Sequence, residues 1–197
     1  MVKKSMSWKA EFGELFKESL SYITKNKKYI YSVIVIFFAS SIITFFNADS
    51  FGMFDDLLSE IADKTEDLDF LEMVWFIFSN NTTSAIMGLF LGAIFGIFPL
   101  FNAVFNGAIL GYVYAKAVPI AGFLVIWRLL PHGIFELPAI FISLGLGIHL
   151  GFSFFGRNKI STFKERFGRS LNAFLVVVLP LLMIASIIES ALIFFVS

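Results

Sequence analysis

Apolar residues in this chain fall into long runs rather than alternating with polar ones. Stretches at about 29–46, 82–98, 102–117 and 171–196 carry at most one charge each, and 119–153 is apolar apart from Arg128, His132, Glu136, His149 and two serines. About 20 apolar residues span a bilayer as a helix, and backbone groups in lipid must find their hydrogen bonds within the segment. No β-barrel alternation is present. The pattern predicts an all-α, polytopic helical membrane protein with about five transmembrane helices, at 29–46, 82–98, 102–117, 131–152 and 171–196. Ahead of this 29–197 transmembrane domain, residues 1–28 form an amphipathic segment. Trp8, Phe12, Leu15, Phe16, Leu20 and Ile23 recur there at helical spacing among Lys and Glu. Such a helix either lies on the membrane surface or packs against the protein's own cytoplasmic side.

Composition strengthens the membrane assignment. Of 197 residues 58% are hydrophobic, 27 are Phe, and the mean hydropathy is +0.84; soluble chains are roughly 45–50% apolar. Cysteine is absent, which excludes disulfides, thiol catalysis and thiolate metal sites. The formal net charge of zero hides segregation. Residues 1–28 hold seven Lys and three Glu, 48–72 hold nine acids and Lys64, and 157–169 hold five Lys/Arg and Glu165. Basic flanks stay in the cytoplasm. This predicts a multi-pass cell-membrane protein with a cytoplasmic N-terminus, an acidic extracytoplasmic loop (48–72) containing a small helix, a basic cytoplasmic loop (156–169) and an extracytoplasmic C-terminus. No cleavable signal is expected, since the first apolar run begins only at Tyr29 and lacks a small-residue cleavage site.

Glycine and proline set the expected helix contacts and breaks. Gly88, Gly92 and Gly96 repeat every four residues on one ridge, and Gly107, Gly111 and Gly133 add small positions; such residues let helices approach closely in lipid. Asn80-Asn81-Thr82-Thr83 reads as a helix start, because Asn and Thr accept hydrogen bonds from free N–H groups. Pro99 predicts a cytoplasmic turn. Residues 119–153 are too long for one straight span, so Pro119, Gly122, Pro131, Gly133 and Pro138 predict a broken or re-entrant segment near 120–138, with a half-helix at 120–130 and a break at the Pro131–Pro138 stretch.

Within that stretch His132 and Glu136 stand four residues apart, on one helix face. Ionisable groups at membrane depth are functional candidates because their charge is costly there. They are expected to form a polar intramembrane site with Arg128, Asn81 and Asn106 as candidate neighbours, suited to binding or proton relay. The structural alternative has His132 capping a broken helix and Glu136 pairing with Arg128, with Asn106 bonding across helices. No metal is expected. His132 and Glu136 are weak candidates only, since zinc usually takes four donors and His149 lies about 25 Å further along a helix.

Asn80-Asn81, Gly92 and Gly96, Asn106-Gly107 with Gly111, and Pro131-His132-Gly133 followed by Glu136-Leu137 and Gly147 together resemble the stage II sporulation protein M family, over roughly 75–155 and more loosely beyond. The resemblance implies a multi-span membrane scaffold, associated in spore formers with peptidoglycan-cutting partners during engulfment. No phosphate-binding Gly-Lys-Ser/Thr loop, His-Glu-x-x-His or Gly-x-Ser-x-Gly motif occurs. The expectation is a non-enzymatic scaffold without cofactors. It would contact membrane lipids and protein partners in a membrane complex, with a homo-oligomer as one option, and no nucleic acid. The alternative is a transporter or channel-like protein using the His132/Glu136 site.

Overall fold

The computed structural model describes residues 8–94, 96–122, 125–155 and 158–195, excepting the side chains of residue 8 and of residues 125–132. Among them the chain is all-α. The helices are α1 (Trp8–Lys25), α2 (Lys27–Phe46), α3 (Met53–Thr65), α4 (Phe70–Leu91), α5 (Ile97–Ala121), α6 (Val125–Gly151), α7 (Lys159–Ala173) and α8 (Leu179–Phe195). A π-helical turn, Phe174–Val178, joins α7 to α8 without a break. Five stretches are long and apolar enough to cross a membrane: Lys27–Phe46, Phe70–Leu91, Ile97–Ala121, Gly133–Phe155 and Lys159–Phe195. This is a multi-pass membrane protein.

Several boundaries differ from expectation. The second span begins at Phe70, not 82. Its start is set by Asp69, whose carboxylate accepts from the Glu72 N–H at 2.8 Å while Glu72 Oε2 accepts from the Asp69 N–H at 3.0 Å, a reciprocal capping box. Asn80–Thr83 therefore lie inside α4 and cap nothing. The turn before α5 includes residues 92–94 and Gly96, and Pro99 sits in the first helical turn, where a missing N–H costs nothing. The interruption within 120–138 falls at Gly122, which has φ 72°, a left-handed conformation glycine adopts without strain. No break occurs at Pro131–Pro138, and neither proline starts a helix: both lie inside α6. Surrounding helices allow a membrane helix to absorb a proline. The basic segment expected as a loop is mostly α7, and the acidic segment contains α3.

The helix α6 is the axis of the bundle. In its most apolar window 72% of residues are buried against protein, against 22–44% for the other spans, and α2, α4, α5 and α8 all pack on it. Two seams hold the bundle, and both pair parallel helices. Along α2 and α5, a Cβ on Gly107 would overlap the Phe37 carbonyl oxygen and one on Gly111 the Ser41 carbonyl oxygen. Along α4 and α6, Gly92 faces the Gly147 backbone and Gly88 faces Leu144, while Ser143 Oγ donates to the Ala85 carbonyl at 2.7 Å. Lipid gives helices no hydrophobic reason to associate, so close backbone approach supplies the attraction.

The two ends of the bundle differ in charge. At one end α1 packs along α7, and Phe90 of α4 meets Phe167 of α7. At the other, buried Phe54 fixes α3 against Phe105 and Tyr112 of α5, and Phe70 of α4 meets Phe194 of α8. The basic α7, with four Lys/Arg against Glu165, and α1, whose three Lys are balanced by three Glu, thus share one end, and the acidic α3 caps the opposite one.

Candidate functional site

The expected polar site is divided by the fold. Arg128, His132 and Glu136 follow one another on three successive turns of α6; the side chains of Arg128 and His132 lie outside the described residues. Glu136 is half-buried where α6 packs on α8, close enough to Glu189 for their charges to interact. Among the described residues neither carboxylate has a hydrogen-bonding or ion-pairing partner, and no three His, Asp or Glu side chains stand together as a metal site would need. Glu189 of α8 is thus a neighbour of Glu136.

The asparagines do not join this pair. Asn81 is half-buried on α4 and makes no hydrogen bond to Glu136. Asn106 donates to both the carbonyl and the side-chain oxygen of Asn102 at 3.0 Å, and Asn102 donates to Ser84 Oγ at 3.0 Å. These amides tie α5 to α4 near the α4–α5 turn. Glu136 lies toward the opposite end of the bundle, because α5 and α6 run in opposite directions, so Asn106 is not part of its site.

The glycines likewise separate by role. Gly88, Gly92, Gly107 and Gly111 line the two seams. Gly96 is off the α4 ridge, since that helix ends at Leu91; with φ 72° it precedes α5 and approaches the Ile148 backbone. A Cβ on Gly133 would meet, among the described residues, only Leu137 of its own helix at 3.6 Å. Gly133 therefore serves no close helix approach.

A second polar cluster sits at the other end of α6, where the sequence pattern pointed least. His149 is buried, and its ring lies between those of Tyr22 (centroids 5.8 Å apart) and Tyr29 (5.1 Å). The Tyr22 hydroxyl is within hydrogen-bond reach of His149 Nδ1 at 3.2 Å and Ser170 Oγ at 3.4 Å, and donates to the Arg166 carbonyl at 3.3 Å as an alternative. Arg166 Nη1 donates to the His149 carbonyl at 2.7 Å. Burial pushes the Tyr22 phenol above its ordinary pKa, outweighing the Ser170 hydrogen bond, so it stays a neutral donor. The cluster locks α1, α6 and α7 together. Its one sequence signal was a histidine two turns before the basic segment, on a helix whose period predicted no partner.

One face of α1 is packed and another is open. Ser19 and Tyr22, with Asn26 just beyond the helix, are buried toward the bundle. Phe12 (52% exposed), Phe16 (38%) and Leu20 (41%) form an apolar stripe left open on a neighbouring flank.

No solved structure matches the chain. An uncharacterized protein of Methanocaldococcus jannaschii is 32% identical over 142 residues, an alignment taking in 67% of this chain and 63% of the relative. The stage II sporulation protein M family matches residues 32–192, beyond the 75–155 core that carried the resemblance and reaching from α2 into α8. By that match over most of its length, the chain belongs to the stage II sporulation protein M family.

Proposed function

We propose that this protein is a non-enzymatic membrane scaffold, with α1 and α7 in the cytoplasm, α3 and the end of α8 outside the cell membrane, and partner proteins gathered on the charged ends. The observation that carries this reading is the pairing of a bundle filled by its own central helix with a basic α7 at one end and an acidic α3 docked at the other. The closely apposed α2–α5 and α4–α6 seams make a rigid platform. The basic flank on one side and the acidic one on the other orient it by the positive-inside rule. Family membership adds the resemblance to a multi-span scaffold acting in a membrane complex.

Two measurements test the reading. Single cysteines at Ser161 on α7 and Ser59 on α3 should be labelled by a membrane-impermeant thiol reagent from opposite sides, with Ser59→Cys reactive in intact cells and Ser161→Cys only after permeabilisation. Cross-linking in native membranes should recover the same protein partners reproducibly, with recovery reduced by Lys164→Glu on the exposed face of α7. Ion flux through vesicles containing the purified protein, abolished by Glu136→Gln, would instead establish a transport role and overturn the scaffold.

A further inference from the structure

The groove between α1 and α7 has features that the scaffold reading does not use. It is a half-open cavity of about 430 Å³ on the flank of α1 away from the Phe12–Phe16–Leu20 stripe. Lys17 and Lys25 enter it from α1, and Arg169 from α7. Glu18 is the one carboxylate in its lining, leaving a net charge of two positive units. At its buried wall Ser19 is 3% exposed, and its hydroxyl has no hydrogen-bond partner. Closed off from solvent, that hydroxyl shapes the wall and does not face a ligand in the groove.

Arg169 is held ready rather than consumed. One guanidinium nitrogen meets Glu165 at 3.1 Å, an exposed pair, and the group lies 5.9 Å from the Tyr22 ring centroid. Stacking and one ion pair fix the plane of the guanidinium while leaving other N–H donors free. Neither Lys17 nor Lys25 has an ion-pair partner among the described residues. Asn172, also in the lining, adds an amide donor.

We propose that this groove binds a phosphate group. Its oxygens would accept from Arg169, Lys17 and Lys25, and from the Asn172 amide. A fixed planar guanidinium, two flexible ammonium groups and neutral donors suit a tetrahedral oxyanion of one to two negative charges. Glu18 lies at the margin and disfavours a more highly charged ligand. The phosphate comes either from an anionic lipid headgroup, reached because α1 lies at the membrane surface, or from a free phosphate in the cytoplasm. The proposal does not depend on the scaffold reading, since a transporter of the same fold would carry the same groove.

The test uses the full chain in phosphatidylcholine nanodiscs. Inorganic phosphate is titrated and followed by ³¹P line broadening; phosphatidic acid is then doped into the discs and retention is followed by native mass spectrometry. Lys17→Gln/Lys25→Gln should weaken binding at least tenfold. The charge-matched control Lys159→Gln/Lys164→Gln, on the exposed face of α7, should change it less than twofold. Retained phosphatidic acid that displaces inorganic phosphate identifies a headgroup site; inorganic phosphate bound equally with or without phosphatidic acid identifies a soluble ligand. Either supports the site. Absence of binding from both sources, or equal loss in the groove and control variants, overturns it.

Discussion

Gly92→Ala is the sharpest probe of how this bundle is held. The added methyl would sit 2.5 Å from the Cα and carbonyl carbon of Gly147, whereas ordinary contact begins at 3.4 Å. The obstacle is backbone, so no side chain can rotate away, and α4 and α6 must part by roughly 1 Å at that point. Gaps of 0.5–1 Å forfeit about a quarter to a half of each dispersion contact, and Leu89 and Leu144 on the same two helices are fully buried. Overpacking of this kind costs about 2–3 kcal/mol. Gly133→Ala provides the opposite case, because its Cβ would meet, among the described residues, only Leu137 at an ordinary 3.6 Å. There the helix propensity of alanine should dominate and stabilise by about 0.5–1 kcal/mol. Both proteins should be compared by reversible unfolding in mixed micelles, with the helical signal as readout. The two substitutions should move the midpoint in opposite directions. Equal stability of Gly92→Ala and the wild type would refute the close α4–α6 seam.

Other perturbations isolate single contacts. Tyr22→Phe removes the hydroxyl shared by His149, Ser170 and the Arg166 carbonyl, leaving a buried ring nitrogen unsatisfied at a cost of about 1–3 kcal/mol; hydrogen exchange should quicken in α1 and leave α4 and α5 unchanged, and unaltered exchange in α1 would show that the cluster is no latch. Asp69→Ala deletes the capping box of α4 and should cost about 1 kcal/mol, with faster exchange confined to the first turn after Phe70; an effect centred on Asn80 would contradict the observed helix start. Asn102→Ala breaks the amide chain from Asn106 to Ser84 and should cost about 0.6 kcal/mol, the average for hydrogen bonds between membrane helices; a loss severalfold larger in the same unfolding assay would mean that the amides hold more than this one link.

Much of the architecture was legible because lipid imposes one rule on every span. Twenty apolar residues have few choices but a helix, so five spans could be counted from hydropathy alone. Boundaries were less legible where polar residues had two possible meanings. Asn80–Thr83 looked like a cap, but Asp69 and Glu72 were the cap, hidden among acids that belonged to the loop. Pro131 and Pro138 looked like a break because proline disrupts isolated helices; in α6 the neighbouring helices outweigh that penalty. Gly122, with no side chain to advertise its role, carries the real turn. The candidate site was half visible. Glu136 was found from its charge, but its neighbour Glu189 comes from another helix 53 residues away, and only the tertiary fold brings the two together. His149 and Tyr22, 127 residues apart, had no local pattern that could link them.

The parallel seams also dictate the order in which the protein can be built. Helices adjacent in sequence run antiparallel and can close as hairpins while they enter the membrane. The tight glycine contacts instead join α2 to α5 and α4 to α6, each pair separated by intervening spans and the two pairs interleaved along the chain. The Phe37–Gly107 contact must wait for α5, and the Gly92–Gly147 contact must wait for α6. Until then Gly88 and Gly92 present a bare groove of backbone to the bilayer. The α4–α6 seam is therefore a late checkpoint of membrane insertion, and a fault in α6 leaves α4 exposed to whatever protein or quality-control factor meets it first.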